Sequence, residues 1–385
     1  MKIKAAYAVC VMLSISMLAA CGSGGKDTPK KTDSLADMAV EINGSTLQIY
    51  GTANEFMQNN WKISYTENDK KKVDDLGELY ATITNKEDEN QEINVLLKNW
   101  EDDAVKVNDA QIARCSISHM EEIGMKIKLP KNITEKSTIR DVIKAYGQPS
   151  AYYVNSFMGS VDSYLIYESK GDYQKREMIT FSFENTKLKR VDFEGAEKKK
   201  KANKSTVFTF KDVFGYKAFT DITEPSVIYD DVLLNGKVRI GSIEIGKDSA
   251  LGMLMDEGWM IDSTYGDETT TEIYLTKDNA WLSVTAAGVY QEGTQIDKTM
   301  PIISINVQII GLDDIEMVLP GGLNTSASAK DIMKQYGMAH SLYYTKDGLE
   351  MNYALYTDDY DIGAQTSFQY NKKGEMTDFS ITFRK

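Results

Sequence analysis

The sequence predicts an α+β fold, internally duplicated, with each half made of two units of one short helix packed on an antiparallel meander of about four strands. Three observations lead there: self-similarity between distant segments, capped amphipathic helical stretches, and strings of short strand-like runs after each of them.

The self-similarity is clearest around two prolines. Leu129-Pro130, then Ser137-Thr138-Ile139-Arg140-Asp141-Val142-Ile143-Lys144-Ala145-Tyr146-Gly147, aligns without gaps on Leu319-Pro320 and Ala327-Ser328-Ala329-Lys330-Asp331-Ile332-Met333-Lys334-Gln335-Tyr336-Gly337. The match carries on, with small shifts, through Tyr164-Leu165-Ile166-Tyr167 against Tyr353-Ala354-Leu355-Tyr356, and Phe181-Ser182-Phe183 against Phe368-Gln369-Tyr370. Upstream, residues 52–61 (TANEFMQNNW) match residues 250–259 (ALGMLMDEGW).

Each matched segment reads as a short helix. Thr138 and Ser328 are N-caps whose hydroxyls can accept an orphan backbone N–H, with Asp141 and Asp331 three residues on. Ile139, Val142, Ile143 and Tyr146 form one apolar stripe, repeated by Ala329, Ile332, Met333 and Tyr336. Gly147 and Gly337 sit where a left-handed C-cap is wanted. Thr52 and Glu55 form a similar cap upstream, and Asn60 and Gly258 end that pair of helices at residues tolerant of positive φ. Helices of roughly ten residues gain their stability by packing. The expected partners are strands at Trp61–Tyr65, Leu79–Thr84, Ile93–Trp100 and Ile112–Ser118, then Ser150–Asn155, Ser163–Glu168, Met178–Glu184 and Leu188–Phe193. A corresponding set runs from Ser341 to Phe383. The halves are residues 39–195 and 236–385. The connecting segment, 196–235, opens with the basic run Glu197-Lys198-Lys199-Lys200-Lys201-Ala202-Asn203-Lys204, read as a solvated linker.

The N-terminus carries a different kind of information. Lys2 and Lys4 precede an uncharged stretch, Ala5–Ala20, that closes as Leu18-Ala19-Ala20-Cys21. This run resembles the lipobox of bacterial lipoproteins, in which the Cys thiol, here Cys21, receives a diacylglyceryl group before cleavage in front of it. Sixteen residues fall short of the roughly 20 needed to span a bilayer. Residues 1–20 are therefore expected to be a lipoprotein signal peptide, and 21–38 a flexible Gly/Ser/Lys-rich tether. Diacyl and palmitate-type chains on Cys21 would hold the mature chain on the extracytoplasmic face of a cell membrane, and its Lys-, Asn- and Tyr-rich composition suggests a Gram-positive one.

Charge and cysteine usage narrow the partners. Losing residues 1–20 removes two lysines and no acids, leaving 42 basic against 57 acidic residues, a charge of −15. Such a chain repels nucleic acid and anionic headgroups, so the membrane is a partner only through Cys21. Cys10 leaves with the signal and Cys115 stands alone, so the mature chain has no internal disulfide. Cys115 is expected as a buried thiol on a strand.

The motifs Asp141-Val142-Ile143-Lys144-Ala145-Tyr146-Gly147-Gln148-Pro149 and Asp331-Ile332-Met333-Lys334-Gln335-Tyr336-Gly337, each feeding a meander, resemble the β-lactamase-inhibitor-like fold shared by the SmpA/OmlA outer-membrane lipoproteins. That resemblance implies a non-enzymatic fold offering a sheet face to a protein partner; Pro149 is replaced by Ala339 in the second copy.

No catalytic, cofactor or metal residue emerges. His119 and His340 are the only histidines, sit at non-equivalent places, and read as surface or turn residues. With one lone thiol they make neither a zinc pattern nor a nucleophile–base pair. Asp88-Glu89-Asn90-Gln91-Glu92 and Asp358-Asp359-Tyr360-Asp361 lack the full calcium-loop spacing. Tyr152-Tyr153 and Tyr343-Tyr344 each put one ring inward and one outward, and an exposed aromatic row would mark a surface for protein or glycan. The expected function is that of a membrane-anchored, non-enzymatic protein-binding or scaffold module at the cell envelope. The alternative is a carboxylate-dependent hydrolase acting on envelope or carbohydrate substrates.

Overall fold

Period-two alternation governs most of this chain. The structure is a computed structural model that describes residues 35–58, 60–157, 160–169, 176–196, 207–208, 233, 236–266, 269–289, 295–309, 315–345, 347–356 and 362–383. Sixteen longer strands among them carry the architecture. They are β1 (Trp61–Thr66), β2 (Glu78–Asn85), β3 (Glu92–Lys98), β4 (Gln111–Ser118), β5 (Ala151–Phe157), β6 (Ser160–Ser169), β7 (Met178–Glu184) and β8 (Lys187–Glu194). After them come β9 (Met260–Gly266), β10 (Thr270–Lys277), β11 (Ala280–Ala287), β12 (Ile302–Gln308), β13 (Ser341–Thr345), β14 (Gly348–Tyr356), β15 (Ile362–Asn371) and β16 (Met376–Thr382). Along β7, for example, Ile179, Phe181 and Phe183 are buried while Met178, Thr180, Ser182 and Glu184 stay half-buried on the other face.

This overturns the α+β expectation: the protein is mostly β. The matched stretches do form helices, α1 (Ala53–Met57), α2 (Ile139–Tyr146), α3 (Gly252–Asp256) and α4 (Ala329–Tyr336), but these run only five or eight residues. Isolated helices need roughly 12–15 residues to persist. These are one- to two-turn caps, whereas the strands reach ten residues and make an extensive antiparallel ladder. Residue periodicity locates a helix well and says little about how much of the fold it carries.

Two compact units divide the chain. Unit 1 comprises residues up to Pro149 together with Ile166–Ser182 and Leu188–Thr209; unit 2 comprises Ser150–Leu165, Phe183–Lys187 and Phe210–Lys385. Within unit 1, β1, β2, β3 and β4 pair in sequence, and β4 pairs with β8 in the register Ser116–Asp192 and Cys115–Phe193. Its core holds Trp61, Ile83, Leu97, Ile117, Phe181 and Phe193, all nearly solvent-free. Within unit 2, β9 to β12 pair in sequence, β12 pairs with β16, and β16, β15, β14 and β13 follow. Leu275, Val284, Tyr353, Phe368 and Ile381 form that core.

Contacts in one unit have counterparts in the other. The Thr138 and Asp141 capping box, with Thr138 N–H to Asp141 at 2.9 Å, is matched by Ser328 and Asp331 at 2.9 Å. Tyr146, Tyr167 and Phe181 form an aromatic triad; Tyr336, Tyr353 and Phe368 form another, and the two tyrosines cross at 74° in both. Tyr146 Oη donates to the Pro130 carbonyl and Tyr336 Oη to that of Pro320. Tyr167 Oη donates to Gly147 O, and Tyr353 Oη to Gly337 O, both at 2.9 Å. The structural partner of Tyr353 is thus Tyr167. The sequence alignment, shifted by one residue after Gly147, sets Tyr164 there, and Tyr164 is exposed. Gly147 and Gly337 take φ near +83 with ψ near −167, a region open only to glycine and different from the left-handed cap expected.

The strand irregularities correspond as well. β1 bulges between Ile63 and Tyr65, and β9 between Ile261 and Ser263. The Ala113 carbonyl accepts from Gly195 N–H at 2.8 Å, and the Ile303 carbonyl from Phe383 N–H at 2.9 Å. Each unit also carries a small hairpin that the sequence reading passed over: Ala39–Ile42 with Ser45–Gln48, and Val238–Ile240 with Ile243–Ile245. Leu35–Asp37 forms a 3-10 turn with Leu35 and Met38 buried, inside the stretch read as tether.

Candidate recognition surface

The buried faces of β1–β4, β7 and β8 fix which side chains stand on the opposite, open face of unit 1. Two rows cross it. One runs Tyr80–Leu96–Arg114–Glu194 from β2 to β8, and the next Thr82–Asn94–Ser116–Asp192. Tyr65 from β1, Met178 and Thr180 from β7 and Arg190 from β8 complete a concavity of about 500 Å3. An extra residue on β4, where the register slips between Leu96 and Leu97, increases local twist.

The surface is mixed in character. Tyr65 and Tyr80 are 55% and 61% exposed at its edge, while Leu96 lies nearly buried on its floor. The charges are paired: Arg114 meets Glu194 at 2.7 Å, and Arg190 Nε donates to Asp192 Oδ1 at 2.7 Å. Burial pushes the Asp192 carboxyl above the usual carboxylate range, and the guanidinium of Arg190 pulls the other way. Arg190 therefore helps hold Asp192 charged in a partly dry setting. Asp192 and Glu194 occupy one strand, side by side, each neutralised by an arginine.

The corresponding face of unit 2 has a different floor. Its rows are Glu272–Thr285–Ser304–Thr382 and Tyr274–Ser283–Asn306–Ser380. Hydroxyls bond to each other there, Ser304 Oγ to Thr285 Oγ1 at 2.9 Å, in place of the ion pairs. Aromatic groups gather at the margin, with Tyr265 against Tyr274 and Trp281 exposed.

The residues singled out from sequence fall in scattered places. Cys21, with the whole signal and tether up to residue 34, lies outside the described residues, as do Glu197–Lys204 and Asp358–Asp361. No helix among the described residues is long and apolar enough to cross a membrane. Cys115 is buried beneath the concavity, with its thiol pushed well above the ordinary range by burial and then by Asp192. Such a thiol is inert. His119 is exposed, at φ +55, and meets Glu122 at 2.9 Å. His340 is half-buried rather than superficial: its Nδ1 accepts the Ala354 N–H at 3.0 Å, and desolvation lowers its pKa to about 4. In the Asp88–Glu92 loop, Asp88 accepts from Asn90, Glu89 pairs with Lys62, and Gln91 accepts from Asn43 and Asn85. Tyr152 and Tyr344 point inward, buried, while Tyr343 faces out.

Sequence reasoning missed Arg114, Arg190, Asp192 and Glu194. The available signal was the alternation Arg190-x-Asp192-x-Glu194, three charged residues on one side of a strand whose other side is Val191 and Phe193.

No family model and no curated protein matches the chain. Solved structures align only distantly. A chain described as a thioesterase II, from Thermobifida fusca, shares 8% identity over 71% of this chain and 93% of its own, with a TM-score of 0.15. A DUF4623 family protein from Bacteroides eggerthii shares 8% identity over 90% and 87%, with a TM-score of 0.14. Scores this low define no shared fold, so the class of this protein rests on its own geometry.

Proposed function

We propose that this protein is a membrane-anchored extracytoplasmic lipoprotein, held through Cys21, whose non-enzymatic role is to bind a protein partner on the open face of unit 1. One observation carries the reading: a concave sheet face pairs exposed Tyr65 and Tyr80 with the arginine–carboxylate pairs of Arg114, Arg190, Asp192 and Glu194. Tyrosine and arginine dominate the energetic centres of protein interfaces, because they combine large contact area with directional hydrogen bonding. The placement of the carboxylates supports binding over hydrolysis. A hydrolytic pair faces across a cleft, and a general acid needs to be free to give up its proton.

The anchor and the surface are tested separately. Cys21→Ala is expected to lose fatty-acid label and release the protein to the medium. Tyr80→Ala with Arg114→Ala, in the lipidated chain, is expected to weaken partner binding by about tenfold or more each, with the fold unchanged by circular dichroism. Unaltered binding in both variants contradicts the surface; hydrolysis lost with Asp192→Asn would favour the alternative.

A further inference from the structure

Strands β5 and β13 follow α2 and α4 at corresponding places. Carrying the alignment of Gly147 on Gly337 forward sets Ala151 on Ser341, Tyr152 on Leu342, Tyr153 on Tyr343, Val154 on Tyr344 and Asn155 on Thr345. Both strands lie within unit 2, and they pair with each other. The observed register is Ala151–Thr345, Tyr152–Tyr344, Tyr153–Tyr343, Val154–Leu342 and Asn155–Ser341. Exchanging each residue for its counterpart maps this set of positions onto itself: 151 with 345 becomes 341 with 155. Tyr153 meets its own counterpart at the centre, with ring centroids 4.4 Å apart. Tyr152, Val154, Leu342 and Tyr344 are buried on one face.

A register with that property is what a two-fold axis through the Tyr153–Tyr343 pair produces, and it is the signature of an isologous interface. An arbitrary junction of two edge strands can slip to other registers, and slips by an even number of residues would keep the buried face buried. We infer that the 151–155 edge is a self-recognition surface whose partner is a second copy of the same edge, and that residues 341–345 occupy it within this chain. The inference does not rest on the function proposed for the open face of unit 1. It implies that the chain holds a closed internal pairing in place of an exposed strand edge prone to aggregation.

The test uses the full chain carrying Tyr343→Pro, since a proline inside 341–345 removes a ladder N–H and frees the opposing edge. With Tyr153→Cys added, the expected result is a doubling of mass by light scattering and an oxidative cross-link between the two introduced thiols. Ala151→Cys in the same background is expected not to cross-link, because position 151 would face position 155 of the other copy. A folded chain that stays monomeric, or that cross-links as readily through 151 as through 153, overturns the inference. A second variant covers loss of folding: residues 151–155 and 341–345 are exchanged for one another in the intact chain. The two-fold register keeps all five cross-strand pairs, so the expected melting temperature lies within about 5 °C of the parent. Loss of cooperative unfolding, or a fall of more than about 15 °C, overturns it.

Discussion

Tyr167 and Tyr353 show how much of this fold is decided by single hydroxyls. Each is essentially buried and spends its O–H on the carbonyl of a glycine that ends a helix. Tyr167→Phe and Tyr353→Phe are therefore each expected to cost about 1 kcal/mol in denaturant unfolding, because the glycine carbonyl loses a buried partner. His340 makes a pH-dependent prediction. Its neutral ring accepts a backbone N–H, and its pKa falls from 6.5 to about 4 in the folded chain. A folded pKa below the unfolded one means the unfolded chain binds the proton first. The contribution of His340 is thus present above pH 6.5 and lost as pH falls toward 4. Denaturant midpoints measured from pH 7 to pH 4 are expected to drop less steeply in His340→Asn than in the parent. At this scale the sequence was readable where chemistry is local: the inward Tyr152 and the buried Cys115 follow from alternation. Tyr167 was misassigned because it lies 20 residues after Gly147 while Tyr353 lies 16 after Gly337, and the shared Tyr-x-x-Tyr pattern lines up with a shift of one residue where the structure requires four.

At the scale of elements, the caps were the most legible feature and the weight of the helices the least. Thr138 with Asp141 and Ser328 with Asp331 form reciprocal boxes of the same geometry, and hydrogen bonds from residues 138 and 328 hold both carboxyls below their usual range. Thr138→Ala and Ser328→Ala are each expected to lose about 1 kcal/mol by chemical denaturation, and to within a few tenths the same amount. A clear disparity would mean that the two helices bear different loads. Strand positions were legible because Val, Ile, Tyr and Phe alternate with polar residues between turn signals. The hairpins at Ala39–Gln48 and Val238–Ile245 were not, being only three or four residues per strand. Their shared trace is Val-x-Ile ahead of a Gly-Ser turn, as in Val40-Glu41-Ile42-Asn43-Gly44-Ser45 and Val238-Arg239-Ile240-Gly241-Ser242. The bulges in β1 and β9 were invisible for another reason: a bulge is a relation between two strands, and no single strand's pattern encodes it.

For the whole molecule, the same limit explains why a lipobox-like run is visible in the sequence and the open face of unit 1 is not. Leu18-Ala19-Ala20-Cys21, which resembles a lipobox, is contiguous and so stands out in one line of text. The row Tyr80–Leu96–Arg114–Glu194 draws one residue from each of four strands. Only the register brings them together. The corresponding row in unit 2, Glu272–Thr285–Ser304–Thr382, occupies the same kind of position with other chemistry. That contrast supplies an internal control. A photo-activatable residue placed at position 80, and separately at position 272, in intact cells tests the proposed surface most directly. One covalent adduct of defined mass is expected at position 80, removed by Arg114→Ala, with no such adduct at position 272. The absence of any adduct at position 80, or the same adduct from both positions, would contradict that surface.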